Sequence, residues 1–196
     1  MTNLKTALQR ALRARKTSVI VIEAEESLGY HSSGRSATML HYALGDALVR
    51  ELTLASRAFF ETPPAGFGEA LLASPVPILV HAREDELDAL DALDAAIAPF
   101  ATLDRLDVEE MRALCPLLRF GEGGAVRGLA DRTALRLDSH ALLQGFERRL
   151  RSLGGRLVTG ARIAAIAREG QSWRLETERG DHFTGAMLVN AAGAWT

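Results

Sequence analysis

The amino-acid sequence predicts an α/β protein in which the two ends of the chain build one layer and a mixed α+β region is inserted between them. An amphipathic helical pattern at residues 4–15 is followed by a continuous β-branched run at residues 19–22. A helix with a clear start follows Asp138, and a second continuous apolar run occupies residues 187–189. Continuous apolar runs without polar alternation are typical of parallel strands that are covered on both faces. Helices that alternate with such strands predict the α/β class.

The elements after the first strand are predicted from turn and helix signals. A turn rich in glycine and serine spans residues 29–34, and a short helix capped by one of its serines is predicted for residues 35–40. A longer helix is predicted for residues 46–61, because the Pro-Pro pair that follows stops it. The central region contains two strands and two helices, at residues 77–82, 84–98, 107–114 and 125–130.

The carboxyl-terminal third opens with a well-defined helix. Asp138 is a good N-cap for a helix that carries Leu142, Phe146 and Leu150 on one face and closes at a Gly-Gly pair. Short strands are then predicted at residues 156–159, 162–168, 172–177 and 186–190.

Composition and charge exclude two classes of partner. The 196 residues are 47% hydrophobic and 24% charged, with a formal net charge of -2. The charges are interspersed, so the chain offers no basic stripe for nucleic acid and no polybasic patch for a membrane surface. Cys115 is the only cysteine, which predicts no disulfide, no metal centre and a cytoplasmic location. The first 16 residues show no targeting segment. We therefore expect a small-molecule partner.

Two features near the first strand carry chemistry. Glu23 ends that strand, and an acid at the carboxyl end of a parallel strand is where dinucleotide folds hydrogen-bond a ribose; the alternative is a solvated acid. Residues 32–37 combine small side chains with a predicted helix N-terminus, which favours a phosphate, and Arg35 adds positive charge. The alternative for this segment is an ordinary capped turn in which Arg35 pairs with a carboxylate.

Three segments of the chain resemble the family of FAD-dependent oxidoreductases that includes D-amino-acid oxidase, glycine oxidase and sarcosine oxidase. They are residues 19–37, residues 137–163 and residues 188–195. The resemblance implies a partial FAD-binding, Rossmann-like layer and oxidation of an amine or amino acid, with hydride transfer to FAD. It also implies a domain division into a partial FAD-binding segment, a substrate-side region and a return to the FAD-binding domain, at residues 1–45, 46–135 and 136–196.

The resemblance assigns ten residues to FAD. Glu23 binds the ribose, the next five contact the pyrophosphate and ribityl region, Ile163 holds the adenine side through its backbone, and the last three lie against the cofactor. The full set is Glu23, Ser33, Gly34, Arg35, Ser36, Ala37, Ile163, Ala192, Gly193 and Trp195. For Ile163, Gly193 and Trp195 the alternatives are a core residue, a simple turn and an aromatic without a stacking partner. No catalytic residue is assigned: an imidazole group is suited to acid–base chemistry, but His31, His41 and His140 have no partner that the sequence identifies.

The family normally opens with a buried strand and a Gly-x-Gly-x-x-Gly turn, and no such turn precedes Glu23. The chain is therefore expected to be a fragment that lacks both ends of the family enzyme. Two alternatives stay open: a non-catalytic or partner-dependent remnant, and a flavoenzyme that acts on a 2-hydroxy acid. Exposed apolar surface where elements are missing also predicts self-association or a complementing chain.

Overall fold

The structure, a computed structural model, describes residues 18–31, 33–67 and 71–193. Eleven strands lie in this part of the chain: β1 (Ile20–Ile22), β2 (Met39–Leu40), β3 (Ala73–Pro75), β4 (Ile78–Ala82), β5 (Asp104–Leu106), β6 (Arg127–Asp131), β7 (Leu135–Leu137), β8 (Arg156–Val158), β9 (Ile163–Glu169), β10 (Ser172–Thr177) and β11 (His182–Gly185). The α-helices of the same residues are α1 (Ala47–Glu61), α2 (Leu87–Ile97), α3 (Val108–Leu114) and α4 (Ser139–Ser152). The predicted helix at residues 4–15 and Trp195 lie outside the described residues.

These elements form two compact units, and the mixed α/β class is as predicted. The described part of the first unit contains residues 18–31, 33–35, 66–67 and 142–193, and that of the second contains residues 36–65 and 71–141.

The first unit holds a parallel strand pair and an antiparallel sheet. β1 pairs with β8 in parallel, with Val21 opposite Leu157. β9, β10 and β11 form a separate three-stranded antiparallel sheet with β10 in the middle. Helix α4 ends at Ser152, and Gly154 two residues later has a φ of 80°, the left-handed conformation that closes a helix at little cost in a glycine. The predicted parallel strand, helix and C-cap are thus confirmed.

The second unit is organised around β6. This strand lies between β4 and β5, and β7 lies between β2 and β3 in a second antiparallel sheet. Leu129 of β6 packs with Leu90 of α2, whereas the next residue, Ala130, packs with Met111 of α3. Because successive side chains of a strand point to opposite faces, α2 and α3 cover opposite faces of this sheet.

Helix α1 has an unusual distribution of polar and apolar residues. Its start at the N-cap Asp46 is as predicted, since the Asp46 carboxylate accepts a hydrogen bond from the Val49 amide. However, its only buried residue is Arg50, while Leu48 and Leu52 are 62% and 54% exposed. Arg50 donates from Nε to the Tyr42 carbonyl oxygen at 2.9 Å. This helix therefore presents apolar side chains to solvent.

Two sequence predictions are wrong. Residues 35–40 do not form a helix: Ser33–Arg35 is a single 3-10 turn and the chain then extends into β2, because Met39 and Leu40 pair with β7. Residues 186–190 do not form a strand, and the third strand of that sheet is β11, which pairs with β10 through His182–Gly185. In the first case, pairing with a strand distant in the sequence decides the structure.

Candidate cofactor site

Glu23 lies immediately after β1 and is held on both sides by the backbone of the β8 region. Its amide donates to the Val158 carbonyl oxygen at 2.9 Å, and its own carbonyl oxygen accepts from the Ala161 amide at 2.9 Å. The Glu23 Oε1 atom accepts a hydrogen bond from the Glu25 amide at 3.0 Å. Oε2 makes no hydrogen bond to another described residue. A half-buried carboxylate with one oxygen held and the other available fits a ligand that brings a hydroxyl donor.

A charged cluster surrounds this strand end, and the sequence did not reveal it. The Glu25 Oε1 atom lies 3.0 Å from His31 Nε2 and 3.7 Å from an Arg162 guanidinium nitrogen. The Glu25 carbonyl oxygen accepts from the Gly160 amide at 2.8 Å. The His31 ring is thus within hydrogen-bond distance of the Glu25 carboxylate. These contacts join the 29–34 turn to the end of β1 and to the segment before β9.

The 29–34 turn is as tight as its glycines predict. A Cβ atom on Gly34 would lie 2.3 Å from the Gly29 carbonyl oxygen, and Gly29 has a φ of 77°. The Arg35 guanidinium carbon lies 5.1 Å from the centre of the Tyr30 ring, a cation–π arrangement. No ion pair joins Arg35 to a carboxylate within the described residues.

Residues 33–37 do not offer a helix N-terminus to a phosphate. A 3-10 turn of three residues has too few aligned peptide groups to make a helix N-terminus with a useful dipole. What remains at Ser33, Gly34 and Arg35 is a close backbone turn and an exposed guanidinium.

The other assigned residues are placed as follows. Ile163 is half-buried at the start of β9, two residues after Ala161, whose amide donates to the Glu23 carbonyl oxygen. Gly193 is exposed, with a φ of 68° that favours glycine. No hydrogen bond joins Ala192 to Glu23 among the described residues; its amide donates instead to Asn190 Oδ1 at 3.1 Å. Exposed residues 36–37 belong to the second unit.

The second unit contains a buried acid near a histidine. Asp131 is 4% exposed, and its Oδ1 atom accepts from the Thr133 amide and hydroxyl at 2.9 and 2.7 Å. Its Oδ2 atom is buried without a hydrogen-bond partner in the described part of the chain. Burial lowers the pKa of His41, and the negative charge of Asp131 opposes that shift. His41 Nδ1 accepts a hydrogen bond from the Ala43 amide at 3.2 Å, so the neutral ring carries its proton on Nε2.

Two further features are absent from the described residues. They contain no group of three acidic, histidine or cysteine side chains arranged to hold a metal ion. They also contain no helix long and apolar enough to cross a membrane.

The chain matches the model of a known protein family. The model for FAD-dependent oxidoreductases of the D-amino-acid oxidase type (DAO) matches residues 4–196. The chain therefore belongs to the family of FAD-dependent oxidoreductases. The cofactor of this family is FAD, as the sequence resemblance predicted.

Solved structures with the same fold include three oxidoreductases. Glycine oxidase from Geobacillus kaustophilus has a TM-score of 0.78 at 20% identity, over 96% of this chain and 52% of that one. L-Proline dehydrogenase from P. horikoshii has a TM-score of 0.76 at 18% identity, over 96% of this chain and 49% of that one. L-α-Glycerophosphate oxidase from Mycoplasma pneumoniae, with FAD bound, has a TM-score of 0.70 at 16% identity, over 87% and 46%. The chain thus spans about half the length of these proteins, and at such identities the similarity shows the fold alone.

Proposed function

We propose that this chain is part of an FAD-dependent oxidoreductase that oxidises an amine or an amino acid. Family membership over residues 4–196 supports the redox class, and a glycine oxidase and an L-proline dehydrogenase share its fold. When bound, FAD would supply the acceptor for a hydride from the carbon that bears the nitrogen, and water would hydrolyse the imine product. Since the chain spans about half of those proteins, we assign this activity to the assembled protein of which the chain is a part.

The observation that carries the proposal is the geometry of Glu23. Its backbone is fixed by Val158 and Ala161 at 2.9 Å each, and its Oε1 atom is held by the Glu25 amide, so the side chain has little freedom left to lose on binding. The remaining oxygen, Oε2, accepts hydrogen bonds from the ribose hydroxyls of the FAD adenosine. A carboxylate in this position at the end of a parallel strand is suited to a dinucleotide.

The neighbouring backbone would form the rest of the adenosine end. Residues 160–163 run alongside the Glu23 to Glu25 segment because two of their amides bind its carbonyl oxygens. Ile163 therefore offers backbone and apolar contact beside the ribose. Arg35, without a carboxylate partner among the described residues, supplies positive charge for a phosphate oxygen. The roles of residues 33–37 and of Ala192, Gly193 and Trp195 rest on the family resemblance.

A titration of FAD against the purified chain tests this role of Glu23. Flavin fluorescence measures the dissociation constant, and the visible absorption after desalting measures the FAD retained. Glu23→Ala removes a charged hydrogen-bond acceptor, which contributes about 1.5–3 kcal/mol, so we expect FAD affinity to fall about 10- to 150-fold.

The matched control is Glu26→Ala, which removes the same charge from an 82%-exposed side chain three residues away. We expect this control to bind FAD as the unchanged protein does. Equal FAD affinity of the Glu23→Ala variant and the unchanged protein would refute the ribose role of Glu23. A chain that folds and binds no FAD would favour the partner-dependent alternative.

A second candidate function is oxidation of a hydroxyl-bearing carbon. It is favoured by one observation, that an L-α-glycerophosphate oxidase shares the fold over 87% of this chain. Bleaching of bound flavin under anaerobic conditions separates the two candidates. Reduction by amines or amino acids supports the first, and reduction by 2-hydroxy acids or glycerol phosphate supports the second.

A further inference from the structure

Phe67 is a buried aromatic residue at the end of an exposed segment. Residues 64–66 are exposed, whereas the Phe67 side chain is 4% exposed. Gly66, directly before it, has a φ of 90°, which lets the backbone turn sharply at this point. Residues 66–67 belong to the first unit, although the residues before them belong to the second. This short segment therefore contributes one buried aromatic ring to the unit that contains the candidate cofactor site.

Helix α4 has a glycine at the place where it meets this ring. A Cβ atom on Gly145 would lie 2.3 Å from Phe67 Cδ1, so the ring occupies the space of a side chain and lies against the helix backbone. Glycine is unfavourable inside a helix, and the ring accounts for its presence here. The Phe146 ring is edge-on to Phe67 with the two centres 5.0 Å apart. The Arg148 guanidinium donates to the Phe67 carbonyl oxygen. Contacts to helix residues three positions apart fix the helix along its axis.

The opposite side of α4 contacts the turn of the candidate cofactor site. Successive residues of a helix are about 100° apart, so Leu143 and Gly145 lie about 200° apart around its axis, on nearly opposite sides. A Cβ atom on Gly29 would lie 2.6 Å from Leu143 Cδ1, so the leucine methyl group packs directly on the Gly29 backbone. Helix α4 is therefore held between the Phe67 ring on one side and the 29–34 turn on the other.

We propose that Phe67 is a positioning residue of the cofactor site. Its ring fills the space at Gly145 and holds α4 where Leu143 packs on Gly29. Packed interiors transmit displacements, so α4 relaxes toward the vacated space when the ring is removed, and Leu143 withdraws from the turn. The proposal rests on the proposed function, because an ordered turn tightens FAD binding by lowering the cost of ordering it on association.

NMR spectroscopy of the full chain without flavin tests the positioning step. The unchanged protein should give a nuclear Overhauser cross-peak between a Leu143 methyl group and the Gly29 α-protons, since their carbon atoms are in close contact. We expect the folded Phe67→Ala variant to lose this cross-peak. The control is Leu175→Ala, which removes another buried apolar side chain of the same unit, in the sheet of β9, β10 and β11, and should keep it. An intact cross-peak in folded Phe67→Ala would overturn the proposal.

FAD titration by flavin fluorescence tests the consequence for the site. A turn that holds its binding geometry about a tenth of the time raises the dissociation constant about tenfold, and we expect this change for Phe67→Ala. Leu175→Ala should lower the melting temperature and leave the dissociation constant unchanged, with all titrations at a temperature where each protein is folded. Unchanged affinity of Phe67→Ala, or equal losses in the two variants, would refute the positioning role. If the unchanged chain bound no FAD, the proposed cofactor site would fail, and the cross-peak would decide the role of Phe67.

A double-variant comparison tests whether Phe67 acts through Gly145. Gly145→Ala alone should displace the ring and lower both the melting temperature and FAD affinity, because the added Cβ atom would lie 2.3 Å from it. Combined with Phe67→Ala, the same change meets no ring and adds a better helix former. The double variant should therefore melt no lower than Phe67→Ala and bind FAD no more weakly. Losses that simply add would show that the two residues act independently and overturn the proposal. If Phe67→Ala does not fold, Phe67→Leu replaces it in every measurement, since it keeps most of the apolar volume without the ring.

Discussion

Replacement of Gly34 by alanine is a sharp test of the turn that leads from β1 to residues 33–35. The added Cβ atom would lie 2.3 Å from the Gly29 carbonyl oxygen, closer than a carbon and an oxygen can approach. The obstacle is backbone, so no side-chain rotation relieves it. The backbone on one side of the turn has to move away by roughly 1 Å, which in a packed structure costs about 1–3 kcal/mol.

The affected region extends to the candidate cofactor site. Gly29 belongs to the turn that His31 anchors to Glu25 at 3.0 Å, so a displaced turn loosens that contact and the segment next to Glu23. We expect the Gly34→Ala variant to lose about 1–3 kcal/mol of unfolding free energy in urea. We also expect lower FAD affinity, measured by flavin fluorescence, because the loop must be restored before FAD binds.

Gly185→Ala is the matched control, because Gly185 lies in the same unit and its added Cβ atom would meet only the Met187 carbonyl oxygen, at 3.4 Å. Neither glycine has a positive φ, so both substitutions equally restrict the unfolded chain. The control should change the unfolding free energy by less than about 1 kcal/mol. If Gly34→Ala proved as stable as the control and bound FAD as tightly as the unchanged protein, the inferred close packing of the turn would be wrong.

Two further predictions concern the second unit. Because burial lowers the pKa of His41 below its ordinary value of 6.5, the unfolded chain binds the proton more readily, so the free energy of unfolding should fall as the pH drops below about 6.5. His41→Asn keeps an acceptor for the Ala43 amide and should flatten this dependence between about pH 7.5 and about pH 5.5 in urea titrations; an equally steep dependence would contradict it. Leu48 and Leu52 are 62% and 54% exposed, so changing both to lysine should alter the unfolding free energy by less than about 1 kcal/mol. The same change should reduce binding of a hydrophobic dye and self-association, and an undiminished dye signal would locate the exposed apolar surface elsewhere.

Helix starts were predictable because their causes are local. Asp46, Asp107 and Asp138 each accept a hydrogen bond from an amide of the first turn, and this interaction needs only a few consecutive residues. The first strand was predictable for the same reason, since a run of β-branched residues is a property of the segment itself. Its parallel pairing followed from the lack of polar alternation.

Strand β2 and the charged cluster were not predictable, because their causes lie far apart in the sequence. Residues 39–40 have no strand signal of their own, and they extend only because Leu135 and Arg136 of β7 pair with them. The contact between Glu25 and Arg162 likewise joins residues more than a hundred positions apart. Glu23 was a candidate from the sequence because the acid directly follows the strand. The residues that hold Glu23 in place could be identified only from the fold.

At residues 186–190 the sequence has a strand signal, but the structure has no strand. The apolar run Met-Leu-Val has the composition of a buried strand, yet the structure leaves Met187 75% exposed and outside every strand. A sequence pattern records the environment in which a segment is stable, and that environment includes polypeptide other than the segment itself.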